Sequence, residues 1–285
     1  MIIDKLYDAV EKRGNVCVGL DTEIGYIPEA FRKQYTNVED ALFQFNKNII
    51  DATYDQAACF KVQIAYYEAY GIKGLLAYKR TLEYIKEVKS IAISDIKRGD
   101  ISKTAEMYAK GHFEGDFETD FITLNPYMGM DSIEPFVPYM KNKEKGIFVL
   151  IRTSNPGAKD FEYIEDKAGK KVYDIVGEKL EALGNEVMGT CGYSSIGGVV
   201  GCTTAEDGIK IRNDFSKTFF LIPGFGAQGG GAEEAKVYLK NGNGGVVNSS
   251  RGILLAYKKH EDGEDNFSKY AREEVLKMKK ELGRE

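Results

Sequence analysis

Eight apolar runs of strand length alternate with helix-length segments along a chain of 285 residues, and that alternation predicts a (β/α)8 barrel. Two further observations agree. Charged and polar residues collect at the ends of the expected strands, and no low-complexity linker or charge block divides the chain. A doubly wound open sheet is the alternative for such a pattern. The expectation is one barrel domain over residues 1–285, with helical extensions at both termini.

The elements follow in order. Val16–Asp21 is an apolar run ending on a carboxylate, and Glu39–Tyr54 after it has helical spacing. Ala58–Gln63 is the second strand, with Lys61 near its end, and Leu76–Val88 the next helix. Ile91–Lys97 alternates as a half-buried strand does, which puts Asp95 and Lys97 on one face. Arg98 and Gly99 break the alternation, and Asp100 sits where the chain turns into a helix. Strand Phe121–Pro126, helix Asp131–Lys143 and strand Gly146–Thr153 come next. Gly157–Gly169 mixes charged and aromatic residues and reads as a loop insertion. Helix Val172–Val187 leads to strands Ile196–Thr203 and Phe219–Phe225, then to helix Ala232–Lys240 and strand Gly245–Ser249. A polar helix near Phe267–Leu282 closes the pattern.

Composition narrows the function. Thirty-nine Lys+Arg against 44 Asp+Glu leave a net charge of −5, unsuited to a general nucleic-acid or anionic-membrane binder. No run approaches the roughly 20 apolar residues that span a bilayer. The start, Met1-Ile-Ile-Asp-Lys-Leu-Tyr7, has no signal-peptide pattern, so the cytoplasm is the expected location. Cys17, Cys59, Cys191 and Cys202 are scattered, and the histidines are His112 and His260. A thiolate or imidazole metal site is not expected, and catalysis falls to Asp, Glu, Lys, Arg or backbone groups.

In a barrel, chemistry belongs at the C-terminal strand ends. There lie Asp21, Lys61, Asp95, Lys97, Asn125, Arg152, Ser154 and Arg251. Taken alone, Asp95-x-Lys97-x-x-Asp100 is either a salt-bridged strand end with Asp100 capping the next helix, or an ammonium held between carboxylates to protonate carbon. The motif leaves both open. Tyr66, Tyr67 and Tyr70 have helical spacing and read as packing residues. After the seventh strand, Ile222-Pro-Gly-Phe-Gly-Ala-Gln228-Gly-Gly-Gly231 lets backbone approach an anion closely. After the eighth, Asn248-Ser-Ser-Arg251-Gly252 adds an arginine fork, and the two loops together read as a phosphate clamp.

These pieces resemble the orotidine 5′-monophosphate decarboxylase family across nearly the whole barrel. The resemblance is carried by Val18-Gly-Leu-Asp21, Phe60-Lys61-Val62, Asp95-Ile-Lys97-Arg-Gly-Asp100-Ile-Ser-Lys-Thr104, Arg152-Thr-Ser154-Asn-Pro-Gly157, Pro223-Gly-Phe-Gly-Ala-Gln228-Gly-Gly and Ser250-Arg251-Gly252. Arg98-Gly99, the Arg152–Gly157 loop and the insertion after Gly157 resemble the family's longer subgroup.

The resemblance implies a cofactor-free, metal-free decarboxylase that converts orotidine 5′-monophosphate to UMP and carbon dioxide. By that likeness Lys97 would stabilise and protonate the ring carbanion, with Asp95 and Asp100 orienting it. A cation about 4 Å away offers roughly 4 kcal/mol at an effective dielectric near 20, so Lys97 could not act alone. Lys61 would complete the charge network and contact ribose, and Asp21 would accept from a ribose hydroxyl. Ser154 would read the pyrimidine, while Gln228, Arg251 and Gly252 would hold phosphate. Asp100, Ile101 and Thr104 would reach a second subunit's site, implying a homodimer. Other readings are a magnesium-dependent sugar-phosphate decarboxylase or aldolase, a Schiff-base enzyme using Lys97, and a non-catalytic nucleotide-phosphate sensor. Flanking carboxylates favour ammonium over the neutral amine that a Schiff base requires.

Overall fold

Eight parallel strands close on themselves in chain order: β1 (Val16–Gly19), β2 (Cys59–Gln63), β3 (Ile91–Arg98), β4 (Phe121–Leu124), β5 (Gly146–Arg152), β6 (Ile196–Val200), β7 (Phe220–Pro223) and β8 (Gly245–Ser249). Cys17 of β1 pairs with Cys59 of β2 on one side and Asn248 of β8 on the other, which makes the closure. The computed structural model describes residues 1–202, 205–226 and 230–283. Its α-helices are α1 (Ile2–Arg13), α2 (Glu29–Arg32), α3 (Val38–Thr53), α4 (Ala65–Glu68), α5 (Gly71–Glu87), α6 (Ser102–Phe113), α7 (Val137–Lys143), α8 (Val172–Gly184), α9 (Ala205–Asp214), α10 (Ala232–Lys236), α11 (Arg251–Leu254) and α12 (Phe267–Glu281). None is long and apolar enough to cross a membrane among the described residues.

The strands are short, apolar and β-branched because both of their faces are covered. Alternate residues divide into two clusters. Val16, Val18, Phe60, Val62, Ile122, Val149 and Ile222 pack outward among the helices. Cys17, Cys59, Ile93, Phe121, Phe148, Leu221 and Val246 fill the barrel's lower interior with Ile2, Ile3 and Leu6 of α1, which stops that end. One step further up β2, β3, β4 and β8 the interior becomes polar: Lys61, Asp95, Thr123 and Asn248 are all buried. The barrel floor is therefore apolar, and its upper storey is charged on the side of β2 and β3.

All eight expected strands are present, with ends within a few residues. The expected helix Asp131–Lys143 is instead two 3-10 turns, Met130–Ser132 and Glu134–Phe136, followed by the short α7. Pro135 and Pro138 remove backbone donors there and fix the turn geometry. The expected helix Ala232–Lys240 stops at Lys236, after which Tyr238 N–H and Leu239 N–H donate to Ala235 and Lys236 in tighter i→i+3 bonds.

His112 lies buried on α6, its ring 6.2 Å from that of Phe117. Burial, aided by the nearby Arg98 charge, lowers its pKa from 6.5 to about 4. The unfolded chain takes up this proton near pH 6.5 and the native chain only near 4. Stability is therefore whole above the upper value and is lost as pH falls, by roughly 3 kcal/mol at pH 4. His112→Phe is expected to flatten this slope in urea denaturation series run between about pH 7 and 4.

Candidate active site

At the C-terminal ends of β1, β2 and β3 four charges alternate. Lys61 Nζ donates to Asp21 Oδ1 at 3.0 Å and to Asp95 Oδ2 at 3.2 Å, and Lys97 Nζ donates to Asp95 Oδ1 at 2.6 Å. Asp95 is saturated: Gln63 Nε2 also donates to Oδ2 at 2.9 Å, and Thr123 Oγ1 to Oδ1 at 2.8 Å. Burial alone would raise the Asp95 pKa, but Lys61 and Lys97, with the Lys97 and Thr123 hydrogen bonds, hold it well below the usual carboxylate range. Burial would likewise lower Lys61, and Asp21 and Asp95 outweigh it, keeping the ammonium form. Lys61 is 3% exposed, whereas the side chain of Lys97 at the end of the series is 44% exposed.

The backbone aims Lys97. Its φ is +43°, in the left-handed region that a side chain rarely adopts. The β3–β4 register shifts between Ser94 and Arg98, and Thr123 Oγ1 accepts from both Ile96 N–H (3.0 Å) and Lys97 N–H (2.9 Å). One threonine hydroxyl thus ties the irregular strand end and donates to the carboxylate that holds the lysine. Thr123, Gln63 and Asn248 are functional candidates that the sequence reading passed over, because neutral polar residues at strand ends do not stand out singly.

Asp100 does not complete a clamp on Lys97 within one chain. Its Oδ1 accepts from Ile101 N–H at 2.8 Å and α6 has no side-chain cap, so Asp100 does not cap the helix, while Lys97 and Asp95 alone form the salt-bridged strand end. Ile101 and Thr104 are exposed and, like Asp100, line neither central cavity. Arg152 is buried and donates to Tyr238 Oη at 2.6 Å, a structural role outside the charge series. Asn125 Oδ1 accepts from Tyr127 N–H and shapes the turn after β4. Tyr67 packs inside, donating to Leu20 O, and Tyr70 Oη accepts from Ile24 N–H. Tyr66 packs against the core as expected and also lines the central cavity.

That cavity, of about 390 Å³, joins Asp21, Lys61 and Asp95 to Asn248, Ser250 and Arg251 across the β1–β8 seam. Asn248 Oδ1 and Ser250 Oγ are buried without hydrogen-bond partners, so they stand ready for a ligand's polar atoms. A neighbouring pocket of about 250 Å³ brings Ser154 to Lys61, Asp95, Lys97 and Thr123. Gly201 permits this, since a Cβ there would come 2.7 Å from Ser154. Arg251 also borders a third hollow of about 560 Å³ with Gly226, Gly230, Gly252 and Lys259. Gly252 lies close over Ser249, whose Oγ would be 2.7 Å from an added Cβ. Gln228 lies outside the described residues.

A closed barrel with an alternating lysine–carboxylate series at one part of its rim, and glycine and arginine at another, defines an enzyme class with a cationic reacting end and an anion-holding end. Residues 14–265 match the model of the orotidine 5′-phosphate decarboxylase / HUMPS family. The orotidine 5′-phosphate decarboxylase of Clostridium novyi (strain NT) is 76% identical over 285 residues, all of this chain and 99% of that protein. That of Clostridium tetani (strain Massachusetts / E88) is 67% identical over 282 residues, 99% of this chain and 98% of that one. Among solved structures, the Leishmania donovani OMP decarboxylase aligns with a TM-score of 0.75 at 28% identity, covering 98% of both chains. The chain belongs to the orotidine 5′-phosphate decarboxylase / HUMPS family.

Proposed function

We propose that this enzyme is a carboxy-lyase that converts orotidine 5′-monophosphate to UMP and carbon dioxide, a step of pyrimidine synthesis. The observation that carries the reading is the series Asp21–Lys61–Asp95–Lys97, which ends on the one partly open ammonium. Loss of the 6-carboxylate leaves an electron pair on the ring carbon. Lys97 Nζ faces that developing charge and then supplies the proton, forming the C–H bond as its N–H bond breaks. Asp95, fixed by four donors, keeps the ammonium in place, so little reorganisation accompanies the reaction. Partial exposure of the Lys97 side chain lets solvent return its proton after turnover.

Asp21 and Lys61 would meet the ribose hydroxyls and Ser154 the pyrimidine edge, with Arg251 and Gly252 on the phosphate, joined by Gln228 on the family likeness. That remote grip contributes to transition-state stabilisation at the ring. No cofactor or metal enters the scheme. A magnesium-dependent sugar-phosphate enzyme would need a cation among these carboxylates, and Lys61 Nζ already occupies that place. We take residues 1–285 as one cytoplasmic barrel domain, working as a homodimer. Exposed Ile101, Met107, Tyr127, Met128 and Phe161 on the loops and helix after β3, β4 and β5 support an apolar contact there. Asp100, Ile101 and Thr104 would then reach the second subunit's site.

The test follows orotidine 5′-monophosphate absorbance with purified protein, with and without excess EDTA. Steady loss of substrate, equal in both, is expected. EDTA-sensitive turnover would point to a metal-using relative, and no turnover by folded protein to a sensor or a sugar-phosphate enzyme.

A further inference from the structure

Opposite the charged rim, at the stopped end of the barrel, α1, the end of α5 and the start of β3 surround a separate hollow of about 450 Å³. Five cations line it, Lys5, Lys12, Arg13, Lys86 and Lys89, against two carboxylates, Asp8 and Asp120. Lys5 and Lys86 are held by Glu144 and Glu118, outside the lining. Among the described residues, Lys12, Arg13 and Lys89 have no carboxylate within 4.0 Å. Asp120 already accepts from Ala92 N–H at 2.9 Å.

Two donors are also idle. Ser90, 7% exposed, has its Oγ buried without a partner, and so is Arg13 Nε, although the Arg13 fork donates to Ala58 O at 3.2 Å. Buried donors without acceptors are costly, and a half-buried cation without a counter-charge, as Arg13 is, more so; Lys12 and Lys89 are exposed and add positive charge at the mouth. In a chain of net charge −5, this local excess of cations does not follow from composition. The missing complement is an anion of charge −2 or more whose oxygens point several ways, because the donors come from two helices and a strand start. A phosphate group has that shape; a planar carboxylate has fewer acceptors to offer.

We propose that this hollow is a second anion site, taking a phosphoanion such as pyrophosphate or the phosphate chain of a nucleotide. Its position beneath the apolar barrel floor keeps it separate from the reacting rim. Isothermal titration with pyrophosphate, and separately with ATP, at about 0.15 M ionic strength compares the wild type with a Lys12→Ala/Lys89→Asn variant. Asn suits position 89, where φ is +57°. Both proteins keep the rim intact, so any difference reports the lower hollow, and unchanged orotidine 5′-monophosphate turnover certifies the fold.

Binding at least about tenfold weaker in the variant is the expected result. A difference with both ligands identifies the phosphate chain as sufficient, and a difference with ATP alone assigns the site to nucleotides. Asp8→Ala, which removes a carboxylate and leaves every cation, should tighten the same binding. Identical isotherms for wild type and the lysine variant with both ligands overturn the proposal, as does an Asp8→Ala protein that binds no tighter.

Discussion

Lys97→Ala will lower kcat for orotidine 5′-monophosphate by roughly 10⁵-fold, the combined scale of a lost proton donor and a lost preorganised charge. UMP affinity should stay within about threefold, because the phosphate and ribose contacts lie elsewhere in the cavity. Stability should change by no more than about 2 kcal/mol, since the side chain is 44% exposed and Asp95 keeps Lys61, Gln63 and Thr123. Single-turnover kinetics with excess enzyme measure the first quantity and product titration the second. A variant that retained a tenth of the activity would remove Lys97 from the centre of the chemistry.

Lys61→Met will cost stability as well as activity. It takes the ammonium from Asp21 and leaves Asp95 with Lys97, Gln63 and Thr123, and breaking a buried ion pair in this way costs about 3–5 kcal/mol. The Lys61→Met/Asp95→Asn double variant should recover part of the stability and none of the activity, which separates folding from chemistry. The pH dependence has two edges. Asp95, with its pKa depressed, contributes stability above the unfolded value of about 3.9, and this is lost as pH falls through the native value. Lys61, with its pKa raised, contributes below about 10.4 and loses that contribution as pH rises through its native value. Between the edges the series should be pH-independent, and in Lys61→Met the alkaline edge should vanish. Denaturation midpoints across that range test both.

Asp95, Lys97 and Lys61 were legible because a charge ending an apolar run is energetically conspicuous. Thr123 was not, since a threonine within Phe121-Ile-Thr-Leu124 is an ordinary strand residue. Its importance needs β3 and β4 to be neighbours and the register between them to shift, and alternation within one strand carries neither fact. Parity offered a signal: once the strand order is granted, Thr123 falls on the same interior face as Asp95. Asn248 and Tyr66 were hidden for a similar reason, their neighbours across the barrel being distant in sequence. Among helices, α6 escaped full definition because its inner face carries Ala105, Ala109 and His112 rather than large aliphatic residues. α1 had the required spacing in Ile2, Ile3, Leu6, Ala9 and Val10, and only the closed barrel explains what that face covers.

Closure of the barrel has a kinetic consequence. The reacting charges stand on or just after β1, β2 and β3 and the anion-holding residues follow β7 and β8, and the strand pairing that unites the two groups is that of Val16, Cys17 and Val18 with Val247, Asn248 and Ser249. That contact joins residues some 230 positions apart and carries a large loop-closure entropy, which makes it a late event in refolding. A refolding chain can regain most of its helical signal while its two half-sites are still apart. Recovery of turnover after dilution from denaturant therefore acts as a clock for the zipping of the first strand to the last.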